Sequence, residues 1–343
     1  MGDLTKGKLA ALGADASVAC IGETMALLVP KEAGPPDYDT CLAVSLGGAE
    51  SNVAMYLADL GHRARWVSRL GDDALGQVVL DYIAMTGVDV SAVERDSERP
   101  TGLFIKEPRP EGTRIHYYRR GSAATALDRT VLHNERVRTA DLLHLTGITP
   151  ALSDSCRDLI VAAVEEGRRA GRLISFDVNW RPSLWRSDPS SLLLELAQGS
   201  SIVFVGSDEA ADLWGCSSPK DVRGLIPEPV ILVVKDGEVG ATVFIDDDPC
   251  FVPALDVEVV EPVGAGDAFA AGYLAGLLRD LDVPGQVRLA HLTAAAALRV
   301  AEDHGPLLGL DVQLRLLRAD DADWATARIE SASHTTVEHT AGG

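Results

Sequence analysis

The sequence predicts a doubly wound α/β fold: a mostly parallel sheet with helices on both faces, plus a small β-sheet lid. Three observations lead there. Short apolar runs rich in β-branched residues recur along the chain, and helical patterns separate them. Two stretches, 27–46 and 102–118, break the alternation with strand-like pieces and no intervening helix.

Taken in order, residues 1–16 are small, polar and weakly patterned, and read as a flexible tail. A compact apolar run at 18–21 is the first buried strand. The stretch 27–46 follows, then a helical pattern at 51–60, a strand at 64–67 and a helix at 74–86. The stretch 102–118 is expected to join 27–46 in a separate antiparallel, edge-like sheet over the main layer. Strands at 141–145, 173–176, 202–205 and 230–234 then alternate with helices at 153–170 and 191–197. Two Ala- and Gly-rich helices at 267–279 and 286–301 can pack closely on their neighbours. The last residues, 329–343, read as a second tail, which leaves one domain over 17–328.

Composition narrows the class. Of 343 residues, 46% are hydrophobic, enough for a sizeable core and against wholesale disorder. Asp and Glu number 51 against 31 Lys and Arg, a formal charge of −20. That balance excludes a non-specific nucleic-acid binder, and it disfavours anionic membrane surfaces. The five cysteines, Cys20, Cys41, Cys156, Cys216 and Cys250, are scattered and form no Cys-x-x-Cys, so they suggest thiols in a reducing compartment. With no signal-peptide pattern and no apolar run near the ~18 residues of a span, a cytoplasmic protein is expected.

The most informative stretch is Pro262-Val263-Gly264-Ala265-Gly266-Asp267-Ala268-Phe269. Glycines ahead of a helix let the backbone approach a ligand, and the helix N-terminus adds unpaired N–H groups and a positive dipole end. Gly264, Ala265 and Gly266 thus form a candidate anion hole. Asp267 beside it carries the wrong charge for a plain phosphate binder and the right one for a base. A tight turn with an Asp cap would give the same bare Gly-x-Gly-Asp. Neither Gly-x-x-x-x-Gly-Lys-Ser/Thr nor Gly-x-Gly-x-x-Gly is present here, the latter failing at Phe269. That absence counts against an NAD-binding protein.

The full stretch resembles the C-terminal signature of the PfkB, or ribokinase-like, family of carbohydrate kinases. Gly47-Gly48-Ala49-Glu50-Ser51-Asn52-Val53-Ala54 resembles the same family's N-terminal element, where Gly47, Gly48 and Asn52 would meet a sugar's hydroxyls. The resemblance covers about residues 17–310. It implies a ribokinase-like fold and transfer of phosphate from ATP, with Mg²⁺, to a primary hydroxyl. Asp267 would be the base, and the lid would pair two subunits as a homodimer. Tyr117-Tyr118-Arg119-Arg120-Gly121 is similar to the lid segment of 2-keto-3-deoxygluconate kinases. Asp177-Val178-Asn179-Trp180-Arg181 is similar to a segment shared by those enzymes and fructokinases. A sugar acid needs a carboxylate partner, and Arg grips one in a two-pronged geometry. Arg119 and Arg181 are the candidates, Arg181 also for the transferred phosphate, with Phe104 and Tyr117 as lid contacts to substrate.

On the nucleotide side the resemblance implies Asn179, Ser207, Lys235, Gly237, Gly240 and His291, together with Gly264 and Gly266. Phe204-Val205-Gly206-Ser207-Asp208-Glu209-Ala210 lacks the Asn of the family's Asn-x-x-Glu element. Aligned on Gly206 it leaves Glu209 as the acid, which would reach the metal through water, whereas aligned on Ser207 it leaves Ala210 there. Glu261 replaces the family's more frequent Asp and leaves a monovalent-cation site open. The alternatives are a fructokinase or another sugar or nucleoside kinase of the family and, more remotely, a non-catalytic sugar-binding α/β protein. Since both implied substrates are anions, the positive charges of this acidic chain are expected to gather in one cleft.

Overall fold

The computed structural model describes residues 2–30, 37, 39–107, 114–246 and 248–331. The strands of its two larger sheets are β1 (Ser17–Ile21), β2 (Met25–Pro30), β3 (Leu42–Gly47), β4 (Arg63–Gly71), β5 (Asp89–Asp96), β6 (Leu103–Glu107), β7 (Arg114–Tyr118), β8 (Leu142–Thr146), β9 (Leu173–Asp177), β10 (Ile202–Gly206), β11 (Ile231–Asp236), β12 (Gly240–Ile245) and β13 (Asp248–Pro253). Nine of them form one sheet in the order β13-β12-β11-β10-β9-β8-β1-β4-β5. It is parallel from β5 through β11, and β12 and β13 close one edge antiparallel.

Period-2 alternation divides the core between the two faces. On β1, Val18 and Cys20 join a cluster with α2 (Ala49–Asp59), α9 (Ala265–Leu278) and α10 (Val283–Leu298). Ala19 and Ile21 join the opposite cluster, with α5 (Asp154–Ala170) and α6 (Ser190–Gln198). The remaining helices named here are α1 (Gly2–Ala10), α3 (Ala74–Met85), α4 (Glu135–Arg138), α7 (Ser207–Trp214) and α8 (Pro219–Leu225). Among the described residues no helix is long and apolar enough to cross a membrane.

All six expected parallel strands form. Strands β5, β12 and β13 were not foreseen: β5 and β13 lie at the sheet edges, where apolar runs are interrupted by polar residues. The four-stranded second sheet, in the order β3-β2-β6-β7, is the expected lid. It departs from expectation in one respect. β2 pairs with β6 in parallel, so the sheet is mixed rather than antiparallel, because the long excursion through β4 and β5 returns the chain in the same direction. The expected N-terminal tail is also corrected. Residues Gly2–Ala10 are helical and Leu9 is buried in the core, and Lys8 Nζ donates to the Gly171 carbonyl. Of the expected C-terminal tail, 332–343 lie outside the described residues, as do 31–36, 38 and 108–113 of the lid segments.

Candidate active site

The site lies where the parallel strands end, the usual place for a ligand crevice in an open α/β sheet. β9 delivers Asp177, β10 delivers Gly206 and β11 delivers Lys235, and the N-terminus of α9 faces them. Gly264 caps α9 with φ +85°. A β-carbon there would be strained and would stand 2.5 Å from the Asp303 main-chain oxygen, so glycine is required on both counts. Ala265 N–H turns back to the Pro262 carbonyl at 3.3 Å. Gly266 and Asp267 therefore carry the first-turn amides that have no acceptor within the helix. Lys235 Nζ lies 3.6 Å from where a β-carbon on Gly266 would sit, which brings an ammonium to the same mouth.

Asp267 is buried in that first turn, and two side-chain amides hold it. Asn52 Nδ2 donates to one carboxylate oxygen at 2.9 Å, and Asn179 Nδ2 donates to the other at 3.2 Å. Asn52 comes from the first turn of α2. Asn179 follows β9 in a left-handed conformation, φ +36°, which Asn tolerates better than most residues. Both amide oxygens are buried without a partner. Burial pushes the Asp267 carboxyl up to about 6, and the nearby Asp177 adds to the rise. The Asn52 hydrogen bond, Arg181 and Lys235 hold it back.

Asp177 accepts from Lys235 Nζ at 2.7 Å. Burial would lower the Lys235 pKa, yet the carboxylates of Asp177 and Glu209 prevail and raise it. Glu209 spends both oxygens on main-chain groups, accepting from Trp180 N–H and Gly206 N–H at 2.8 Å each. Arg181 donates to the Trp180 carbonyl at 3.1 Å and lies 3.7 Å from Glu209, with its side chain 55% exposed.

The other expected residues divide. Gly47 and Gly48 lead into α2, and a β-carbon on Gly47 would stand 2.6 Å from Asp303 Oδ2 and 2.7 Å from the buried Phe104 ring. Phe104 lies cross-strand from Tyr117, ring centroids 5.7 Å apart. Arg119, expected to meet a substrate anion, stacks over Tyr117 at 5.8 Å and is tied to the buried Glu23, Nε donating at 2.7 Å. Ser207 donates to Asp236 at 2.5 Å, and Gly237 and Gly240 bound the β11–β12 turn. His291, expected on the nucleotide side, is buried, edge-on to Phe269 at 5.1 Å and beside Trp324. Burial pushes its pKa down to about 4.

Nor does the cleft collect only positive charge. Arg181 and Lys235 share it with Asp177, Glu209 and Asp267, beside the N-terminus of α9. Two acids not expected here, Glu23 and Glu50, are buried near the site. Glu50 accepts from Thr146 and Thr149 hydroxyls at 2.7 Å each, and its burial raises its pKa to about 7. Its place inside the Gly-Gly element was the available signal.

Residues 15–307 match the pfkB family carbohydrate kinase domain. The chain belongs to the pfkB family. It is 36% identical over 289 residues to 2-dehydro-3-deoxygluconokinase of Bacillus subtilis (strain 168), across 82% of this chain and 89% of that protein. It is 31% identical to Fructokinase-2 of Oryza sativa subsp. japonica, across 82% of this chain and 85% of that protein. Among solved structures, a PfkB protein from Polaromonas sp. JS666 matches with a TM-score of 0.76 at 32% identity, covering 84% of this chain and 98% of that one. As a pfkB-family member the chain is a sugar kinase, and its overall fold is similar to that of its solved relative.

Proposed function

We propose that the chain transfers the γ-phosphoryl group of ATP to the primary hydroxyl of a sugar acid, 2-keto-3-deoxygluconate. One observation carries the chemistry. A buried carboxylate, Asp267, sits in the first turn of a helix whose amides face the cleft, held by two asparagines whose own oxygens lack partners. Asp267 accepts the hydroxyl proton as that oxygen bonds to phosphorus and the bond to the ADP oxygen breaks. Gly266 and Asp267 N–H groups receive the charge on the phosphoryl oxygens, joined by Lys235 and Arg181. The free Asn52 and Asn179 oxygens accept sugar hydroxyls.

Among the described residues no group of three or more His, Cys, Asp or Glu side chains could hold a metal ion. The donors present fit magnesium nonetheless, because that ion keeps several waters and binds mainly to phosphates. Asp177 and Glu209 would reach it through water, since Lys235 holds Asp177 and main-chain N–H groups hold Glu209. Bound there, magnesium supplies neutralising charge to the phosphates.

The preference for 2-keto-3-deoxygluconate rests on the resemblance of the 117–121 and 177–185 segments and on the Bacillus subtilis relative. A specific observation favours fructose instead: Glu23 already neutralises Arg119, which leaves Arg181 as the cleft's guanidinium for a carboxylate. A coupled kinase assay over both sugars, ribose and a nucleoside decides between them. The expected result is a kcat/KM for 2-keto-3-deoxygluconate at least about tenfold above fructose. The reverse order overturns the substrate assignment. Val44 and Tyr118 are exposed on the lid and suit pairing with a second copy, and ATP as donor suits the cytoplasm.

A further inference from the structure

Behind the anion hole lies a buried ionic cluster with no role in the chemistry above. Lys106, on lid strand β6, is buried. Its ammonium donates to the Ala301 carbonyl at 3.0 Å and to Asp303 Oδ1 at 3.2 Å, and Glu261 Oε2 lies 3.8 Å away. Asp303 touches both walls of the site. Its main-chain oxygen packs on Gly264, the N-cap of α9, and its carboxylate packs on Gly47 ahead of α2. Glu261 precedes Gly264 by three residues. One cation therefore joins the lid, the loop before α2 and the turn that forms the anion hole. Two carboxylates in so dry a place require a counter-charge, and Lys106 opposes the rise that burial imposes on the Asp303 pKa. Glu261, the residue left open as a monovalent-cation ligand, already faces one.

We propose that Lys106 is a built-in monovalent cation for the phosphate-binding turn. Its ammonium fixes Asp303 and Glu261, and through them Gly264 and Gly47, so that no free alkali ion is needed to hold the anion hole. Lys106 is a positioning residue on this account, since it acts through the two acids. Removing it leaves a hole walled by two carboxylates and a carbonyl, an all-oxygen set that can take K⁺ or accept hydrogen bonds from NH₄⁺ in place of the lost ammonium.

The activity arm of the test rests on the kinase reading above; the stability arm does not. Wild type, Lys106→Ala and Lys106→Met are titrated with KCl or NH₄Cl, ionic strength being held with tetramethylammonium chloride. For wild type, kcat and Tm should stay flat. Lys106→Ala should lose about 10²-fold in kcat and melt lower, with both recovering saturably as K⁺ or NH₄⁺ is added. Lys106→Met fills the space without charge and should not recover. A saturable K⁺ activation of wild type overturns the proposal, and that titration decides the matter even if a variant does not fold. So does a folded Lys106→Ala that no cation rescues, or one within about twofold of wild-type kcat without added cation. A wild type inactive on every sugar refutes the kinase reading, and the Tm titration then judges Lys106 alone.

Discussion

Asp267 lies at the end of a balance of opposing effects. Burial raises its pKa to about 6, while Asn52, Arg181 and Lys235 keep it from rising further. If Asp267 is the base of the proposed mechanism it works only when ionised, so kcat/KM should be half-maximal near pH 6, level off above about pH 7 and fall about tenfold per unit below about pH 5. A pH–rate profile of the free enzyme checks this, and a limb centred below pH 5 would contradict it. Asp267→Asn should lower kcat by about 10²–10⁴-fold while ATP binding, measured by calorimetry, stays close to wild type. Near-normal turnover in that variant would remove Asp267 from the mechanism. The sequence made Asp267 legible because glycines at a helix start and a carboxylate one step inside are a local pattern. It did not make the Asn179 contact legible, because that depends on a positive φ and on a helix 88 residues away.

At the scale of elements, the lid and the arginine it carries need separating. Arg119 is 12% exposed and paired with a Glu23 side chain that is 1% exposed. Breaking such a pair leaves a buried charge against the Ser122 hydroxyl, which donates to it at 2.6 Å. Arg119→Met should cost about 3 kcal/mol or more in stability, read by urea denaturation. If stability is unchanged and only the KM for the sugar acid rises, Arg119 serves substrate rather than structure. The central strands were readable because burial on both faces makes them continuous apolar runs. The mixed pairing of the lid was not, since strand direction depends on where the chain has travelled between β2 and β6. Helix α1 escaped notice because its composition is weakly amphipathic and its docking partner lies far along the chain.

The whole molecule carries a formal charge of −20 around a cleft that mixes both signs. Self-repulsion among the surface carboxylates weakens the compact state and is screened by salt. Raising tetramethylammonium chloride from 0.01 to 0.15 M, which shortens the Debye length from about 30 to about 8 Å, should raise Tm. A fall in Tm would mean that attractive pairs dominate the surface instead. The chain-wide charge did not reveal the local one. Cleft cations that looked free in the sequence each face a carboxylate supplied by another segment.

The hydrogen bond between Asn52 and Asp267 joins residues 215 positions apart. During synthesis from the N-terminus, the loop before α2, the small sheet and most of the parallel sheet emerge before Asp267 exists. If Asp267 is the base of the proposed mechanism, a nascent or prematurely terminated chain can shape much of the crevice but has nothing to accept the proton. Turnover would then belong to finished molecules, and the appearance of activity during translation would time the closing of the last layer of helices over the sheet.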